Sequence, residues 1–429
     1  MEPTVRHLVQ GWADMAAGRS LGREFAWLWA AFAISTLGTW LAFDAFPLIA
    51  ILVLHSGSTA VSMLTAAGLA VGALAAIPLG VWVEFRRKRP VMMAMDLIRF
   101  AALVSIPVSY VLGRLGLTQL VVVSMIVAAA SISFRAASGA YVKGLIRAED
   151  LVVANARFES TTWTATMLGP PLGGFAIGLF GPVITVVADA LTYLLSALGI
   201  VAIGGREPQP VRIGAQGLRA GELFEGWRFI VAHPVLRRLV LNTILVNGLI
   251  MATAPLLAVL MLGRLGFTPW QYGLAFAAPC LGGLIGSRFA QGLAERFGQR
   301  RILLIAGTLR ACWSLGLVLI RPGLSGLVLV LVLEFGLITC AGVFNPVFSS
   351  FRLEQSDPDY VARILSSWSV SSKASIATMT ALWGVLAGLT GPRVAIGIAG
   401  GLMLLTPLLL PWRKSAFASL DSTAVAAQS

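Results

Sequence analysis

"GVWVEFRRKRP", residues 80–90, ends one apolar run and opens the next, and "QGLAERFGQRR", residues 291–301, does the same 211 positions later. At that offset Glu84 falls on Glu295 and Arg89 on Arg300. Carried outward, it also takes Gly72 to Gly283 and Arg99 to Arg310. Glycines and charges coinciding at one spacing, in otherwise greasy surroundings, mark a duplicated unit. An offset of 206 pairs the loops further along, placing Arg157 on Arg363 and Ser160 on Ser366.

The units are built for lipid. Of 429 residues, 57% are hydrophobic and 12% charged, a balance that excludes an ordinary soluble globule. A helix needs about 20 apolar residues to cross roughly 30 Å of hydrocarbon with every backbone group satisfied internally. Twelve such runs are legible, at 27–54, 61–83, 91–112, 118–134, 161–180, 183–203, 239–262, 270–293, 302–320, 324–348, 364–389 and 394–410. The expected fold is an all-α membrane protein of twelve transmembrane helices in two pseudo-symmetric six-helix bundles. The bundles cover 25–203 and 238–411, joined by a cytoplasmic linker at 204–237 and flanked by cytoplasmic segments 1–24 and 412–429. Within the linker, "GELFEGWRFIVAHPVLRR" has the spacing of a surface helix.

With both ends in the cytoplasm, only Arg114, Arg264, Arg321 and Arg393 of the 32 basic residues fall outside, a strong positive-inside bias. The formal charge of +13 is thereby assigned to loops facing anionic headgroups, and no nucleic-acid partner is expected. The first run exceeds the length of a signal peptide and is expected to remain as a span of an inner-membrane protein. Cys280, Cys312 and Cys340 all fall inside runs, which suggests neither a disulfide framework nor a metal site. His7, His55 and His233 lie near surfaces, apart from any nucleophile, and there is no phosphate-cradling loop with a lysine. Neither an enzyme nor an ATP-driven pump is expected. The energy source is then the proton gradient, worth about 2.3 kcal/mol per charge per 100 mV, with no cofactor.

Over nearly its whole length the chain resembles the major facilitator superfamily. "REFAWLWAAFAISTLG", "GVWVEFRRKRP", "EDLVVANARFES", "GPPLGG" and "ADALTYLLSA" are similar to the drug:proton antiporter branch that includes macrolide exporters and the enterobactin exporter. The resemblance implies a monomeric exporter of amphipathic small molecules working by alternating access. A dedicated exporter of an anionic metabolite or siderophore, or a lysophospholipid-type transporter, is the alternative, and a non-transporting sensor a remote one. The loop after the second run resembles the superfamily's Gly-x-x-x-Asp-Arg-x-Gly-Arg-Arg signature through Gly80, Glu84, Arg86, Lys88 and Arg89. Glu stands for the usual Asp, and Phe85 and Arg87 for Arg and Gly. A carboxylate there can latch an inner gate against a helix N-terminus, or simply sit in a solvated loop. Glu295, Arg296 and Arg300 form the second copy, with Gln291 in the glycine's place, and Arg99 and Arg310 are assigned to the same inner gates. "GPPLGG", with Gly169, Pro170, Gly173 and Gly174, resembles the antiporter signature of the fifth helix. Its prolines bend the helix and its glycines admit a neighbour, making either a pivot or a plain packing face.

Ionisable groups in hydrocarbon are functional candidates by default. Asp44, in "LAFDAFPLIA", is read as a proton or cation site, or else as an ion pair or helix cap. Glu334 in the tenth run is read for proton or substrate work, and Asp189 in the sixth either shares the proton-coupling role or bonds a neighbouring helix. Lys373 lies in "SSWSVSSKASIATMT", whose hydroxyl-rich face suits a watery cavity, and either neutralises Asp44 or Glu334 or meets an anionic substrate. Arg135 either snorkels or joins Lys373 in that contact. Trp40, Trp163, Trp368 and Trp383 are placed around the cavity, while Trp27, Trp270 and Trp412 suit the interface.

Overall fold

The computed structural model describes residues 21–42, 44–147, 150–204, 227–354 and 361–412. Both terminal segments and most of the 204–237 linker lie outside them; its described part includes a short helical stretch at 227–232. The described chain is all-α. Its helices are α1 (Arg23–Leu41), α2 (Ala45–Leu52), α3 (Ser58–Glu84), α4 (Lys88–Val111), α5 (Leu117–Leu145), α6 (Leu151–Phe180), α7 (Pro182–Val201), α8 (Pro234–Ala258), α9 (Pro269–Phe297), α10 (Gln299–Cys312), α11 (Leu324–Glu354), α12 (Val361–Thr390) and α13 (Pro392–Leu405). A π-helical turn, Val259–Arg264, extends α8, and 3₁₀ turns at Ser314–Leu319 and Thr406–Leu409 extend α10 and α13.

Nine of these helical stretches are long and apolar enough to cross a bilayer among the described residues, and the chain is a multi-pass membrane protein. Among the described residues α3 contributes an apolar stretch at Ser58–Gly72, and α6 and α12 are absent from the set. For α6 and α12 the departure from equally greasy runs is chemical. α6 carries Thr161, Thr162 and Thr166 before its Gly/Pro segment, and α12 carries Ser367, Ser369, Ser371, Ser372 and Lys373. Helices of that polarity need a partner other than lipid for one face.

The helices pack in two groups, α1 to α7 and α8 to α13, and two long crossings join them: α3 against α12, and α6 against α9. The groups share hairpin chemistry. Gly181 (φ 82°) with Pro182 turns α6 into α7, and Gly391 (φ 89°) with Pro392 turns α12 into α13. In both, a residue in the left-handed region ends one helix and a proline needing no donor begins the next.

The core shows which side is closed. We call the face bearing Leu21 and Trp412 the near face, and the opposite one, at His55, Gly181 and Gly391, the far face. On the far side one apolar cluster runs continuously through both groups, from Ile49 and Leu64 to Leu256, Met261 and Ala387. On the near side it is split in two. Phe25, Met92, Phe134 and Ile200 belong to the first group, and Leu236, Leu303, Phe344 and Ile364 to the second. The groups are fused at the far face and parted at the near one.

Candidate functional site

The fused side is made by glycine. At the α6–α9 crossing, a Cβ on Gly174 would overlap the carbonyl of Pro269, and one on Gly273 that of Pro170. On the other side of α6, Cβ atoms on Gly169 and Gly173 would overlap Trp40 and the carbonyl of Leu41. The GPPLGG segment is thus wedged between the end of α1 and the second group, at backbone-to-backbone contact that only glycine permits. The α3–α12 crossing uses the same device. Gly384 and Gly388 abut Ser62 and Thr59, and the Thr59 hydroxyl donates to the Gly384 carbonyl at 2.9 Å.

Asp44 stands at this seam. The first run is one continuous helix in the sequence reading, yet the chain breaks between α1 and α2, with Asp44 in the left-handed region (φ 54°). Aspartate is among the few residues that tolerate this conformation. The residue occupies the N-cap position of α2 without capping it. Its Oδ2 instead accepts a 2.7 Å hydrogen bond from the hydroxyl of Tyr272 on α9, 228 residues away and in the other group. Tyr272 is itself buried. Above the seam, a hollow of about 610 Å³ opens to the far face among His55, Thr59, Arg264 and Gly391.

The near side presents cations. Arg135 is exposed on α5 and lines a small cleft with Phe32, Thr39, Trp40, Arg99 and Tyr193. Lys373 is exposed on α12, one turn after Ser369, which is also exposed. A cation with a serine one turn away on a membrane-embedded helix has to meet water or protein rather than lipid.

The repeated arginines each find their described partners within their own group of helices. Arg99 (5% exposed) pairs with Asp96 one turn earlier on α4, and its guanidinium lies 4.1 Å from the ring centre of Tyr193 and 4.7 Å from that of Phe134. Ser196 donates to the second carboxylate oxygen of Asp96 at 2.7 Å, and the Tyr193 hydroxyl is 2.7 Å from that of Thr39. Asp189, one turn before Tyr193 on α7, is buried within the electrostatic reach of Arg99 and bonded weakly by Thr192 at 3.5 Å. Arg310 is fully buried. Its Nη2 donates to Asn242 at 2.6 Å and contacts Thr243 at 3.5 Å, and its guanidinium lies 3.6 Å from the centre of the Phe344 ring.

At the near face the signature residues fasten helices within each group. Lys88 donates to the carbonyls of Val83 (2.9 Å) and Arg86 (2.7 Å) at the end of α3, and Arg86 stacks on Trp82. Arg89 donates to the carbonyls of Ile203 and Gly204 after α7. Its counterpart Arg300 donates to that of Trp412 after α13, at 2.5 Å. Glu295 accepts from Gln291 on its own helix at 2.9 Å, and Arg296 stacks on Phe297. Gly80 belongs to α3, and the side chains of Glu84 and Trp163 lie outside the described set.

Glu334 is half-buried on α11, on the stripe of buried Val330 and Leu337, with no hydrogen bond or ion pair among the described residues. Trp40 sits by the Asp44 break, whereas Trp368 packs on Phe348 at 5.6 Å with Arg352 over it at 5.2 Å. Trp383 is buried, donating to the Ala395 carbonyl. The last two therefore brace the second group. Asp96, Tyr193 and Tyr272 escaped the sequence reading. The three-residue spacing of Asp96 and Arg99 on one helix was a usable signal for the first; nothing local marks Tyr272 as the partner of Asp44.

Comparison with known proteins agrees with this architecture. Residues 28–351 match the family model of the Major Facilitator Superfamily, and the chain belongs to that family. Among curated proteins it is similar to the multidrug efflux pump Tap of Mycolicibacterium fortuitum, 25% identical over 214 residues, covering 48% of this chain and 50% of that one. The chain thus spans about half the length of that relative. Among solved structures, the nucleoside transporter NupG superposes with a TM-score of 0.67 at 12% identity, over 90% of this chain and 98% of that one. A bacterial homologue of the human lysosomal transporter Spinster, in an inward-facing, unoccupied conformation, gives 0.66 at 14% identity, over 91% and 95%. These likenesses show the shared fold. By its family the chain is a membrane transporter of small molecules rather than an enzyme.

Proposed function

We propose that the protein exports amphipathic organic anions from the cytoplasm by alternating access in exchange for protons. Its helices form twelve spans in two six-helix bundles, 25–203 and 238–411, whose near face is cytoplasmic. The observation that carries this reading is the distribution of charge about the parting. Exposed Arg135 and Lys373 come from opposite bundles, while Asp44 is withdrawn to the closed far seam and held by Tyr272. A cargo carboxylate or sulfonate would meet the two cations, and its apolar body Trp40 and Phe32. Opening the far seam separates Asp44 from Tyr272 and admits water and protons to the carboxylate. Closing it again requires their hydrogen bond to re-form, which ties proton traffic to the rocking of the bundles.

The likeness to a protein named as a multidrug efflux pump supports the export direction and favours a second reading, in which drug-like neutral or cationic compounds are carried. Proteoliposomes with an imposed pH gradient decide between them, with carboxyfluorescein as probe anion and ethidium as probe cation. The proposal expects gradient-driven movement of the anion, reduced in Lys373→Gln and Arg135→Gln. Movement of ethidium alone selects the second reading, and movement of neither under any gradient rejects both.

A further inference from the structure

Behind Thr39 the first group of helices buries two carboxylates: Asp96, paired with Arg99, and Asp189, one turn before Tyr193, whose ring centre lies 4.1 Å from the Arg99 guanidinium. Asp96 is 0% exposed, Asp189 7% and Arg99 5%, so water does not screen them. The charged and titratable groups facing this cluster can be named from each helix around it. α4 supplies Asp96 and Arg99, and α7 supplies Asp189 and Tyr193. α5 supplies Arg135, which is exposed and belongs to the cavity wall. α1 offers only hydroxyls, Ser35 and Thr39, and the nearest acid beyond it, Asp44, is engaged by Tyr272.

With both acids ionised, the cluster carries one negative charge in excess at membrane depth, where an unpaired charge is strongly disfavoured. Arg99 is sandwiched between the rings of Tyr193 and Phe134 and spends its hydrogen bond on Asp96. Among the described residues the Asp189 carboxylate has only a 3.5 Å contact with Thr192, whose hydroxyl donates at 2.7 Å to the Asp189 backbone carbonyl. One proton shared between the two carboxylates makes the cluster neutral. A path to water is present: a cleft of about 60 Å³ reaches Arg99 and Tyr193 from the cavity wall, and Tyr193 is hydrogen-bonded to exposed Thr39.

We propose that Asp96 and Asp189, gathered about Arg99 and Tyr193, form a second proton-binding site of the transporter, distinct from Asp44 and reached through the cleft beside Arg135. Proton release leaves the cluster one charge negative while Asp96 keeps its bonds to Arg99 and Ser196. The change is therefore felt at Asp189 and Thr192. Thr192 is the side chain against which Gly38 of α1 is packed without room for a Cβ, and α1 leads into the break at Asp44. The inference rests on the proton-coupled reading above for its purpose, but the proton itself can be observed without transport.

Infrared difference spectroscopy of the purified protein between acidic and alkaline buffer reads the C=O stretch of a protonated carboxylic acid. We expect a buried-acid band in the wild type that is lost in Asp96→Asn/Asp189→Asn and regained when only Asp189→Glu is made. In proteoliposomes, carboxyfluorescein accumulation in Asp189→Asn should fall to the level seen with no pH gradient and recover in Asp189→Glu. A band unchanged in the double variant, or full gradient-driven accumulation in it, overturns the proposal. Should the wild type move no probe under a gradient while the band behaves as expected, the transport reading fails and the proton site stands.

Discussion

The two groups of helices repeat their buried arginines but not the acid beside them. Arg99 and Arg310 occupy matching places in the duplicated sequence, both buried, and both lie over an aromatic ring. In the first bundle Asp96 faces Arg99 from one turn earlier; in the second the matching position is Gly307, and Asn242 and Thr243 take over as neutral partners. Nε and Nη1 of Arg310 have no hydrogen-bond partner among the described residues. Duplication supplied two similar scaffolds. At this matched place one group carries a carboxylate and the other does not. The Gly-Pro pivot is likewise one-sided, since GPPLGG has no counterpart in α12, where Lys373 and its serines stand instead.

The largest effect that would sharpen this asymmetry is expected at Gly173. Gly173→Leu drives a side chain into the Leu41 backbone, so the far seam cannot close in its present form, and probe flux should fall to background. Undiminished flux removes the pivot from the mechanism. Next, Arg99→Met strands a buried carboxylate and should cost about 3–5 kcal/mol, read as a large drop in the thermal unfolding midpoint in detergent. Arg310→Met removes an incompletely bonded charge, and the same assay should show little loss or a gain. Equal destabilisation by the two would erase the contrast. Tyr272→Phe takes one charge-assisted hydrogen bond from the seam, about 1.5–3 kcal/mol, and should populate the far-open state, read as faster labelling of a Thr59→Cys reporter. The smallest effects belong where the bundles agree. Arg89→Ala and Arg300→Ala each free carbonyl ends of the last span in their bundle, and each should cost about 1 kcal/mol.

Much of the fold was legible because its signals are local. The 211-residue repeat, the two Gly-Pro hairpins and the apolar runs are written in neighbouring letters. The polarity of α12 already pointed to a wet face. The site was less legible because its geometry depends on a break and on distant partners. Asp44 looked like one residue on a continuous helix; its left-handed conformation and its bond to Tyr272 come from the crossing of α6 and α9, which no single stretch encodes. Trp368 and Trp383 have the composition of cavity residues, but neighbouring helices of their own bundle claim them. Arg99 and Arg310 each lie about three turns into their helix, where side chains from neighbouring helices that no single stretch encodes bury them.

Double electron-electron resonance on spin-labelled protein tests the central claim, that the bundles rock about the glycine-packed seam. One pair of labels goes at Arg86 and Arg296 on the near face and another at Arg114 and Arg321 on the far face, in a background lacking Cys280, Cys312 and Cys340. Acidification in the presence of carboxyfluorescein should shorten the near-face distance and lengthen the far-face one. Distances that stay fixed, or change in the same sense on both faces, would contradict the account.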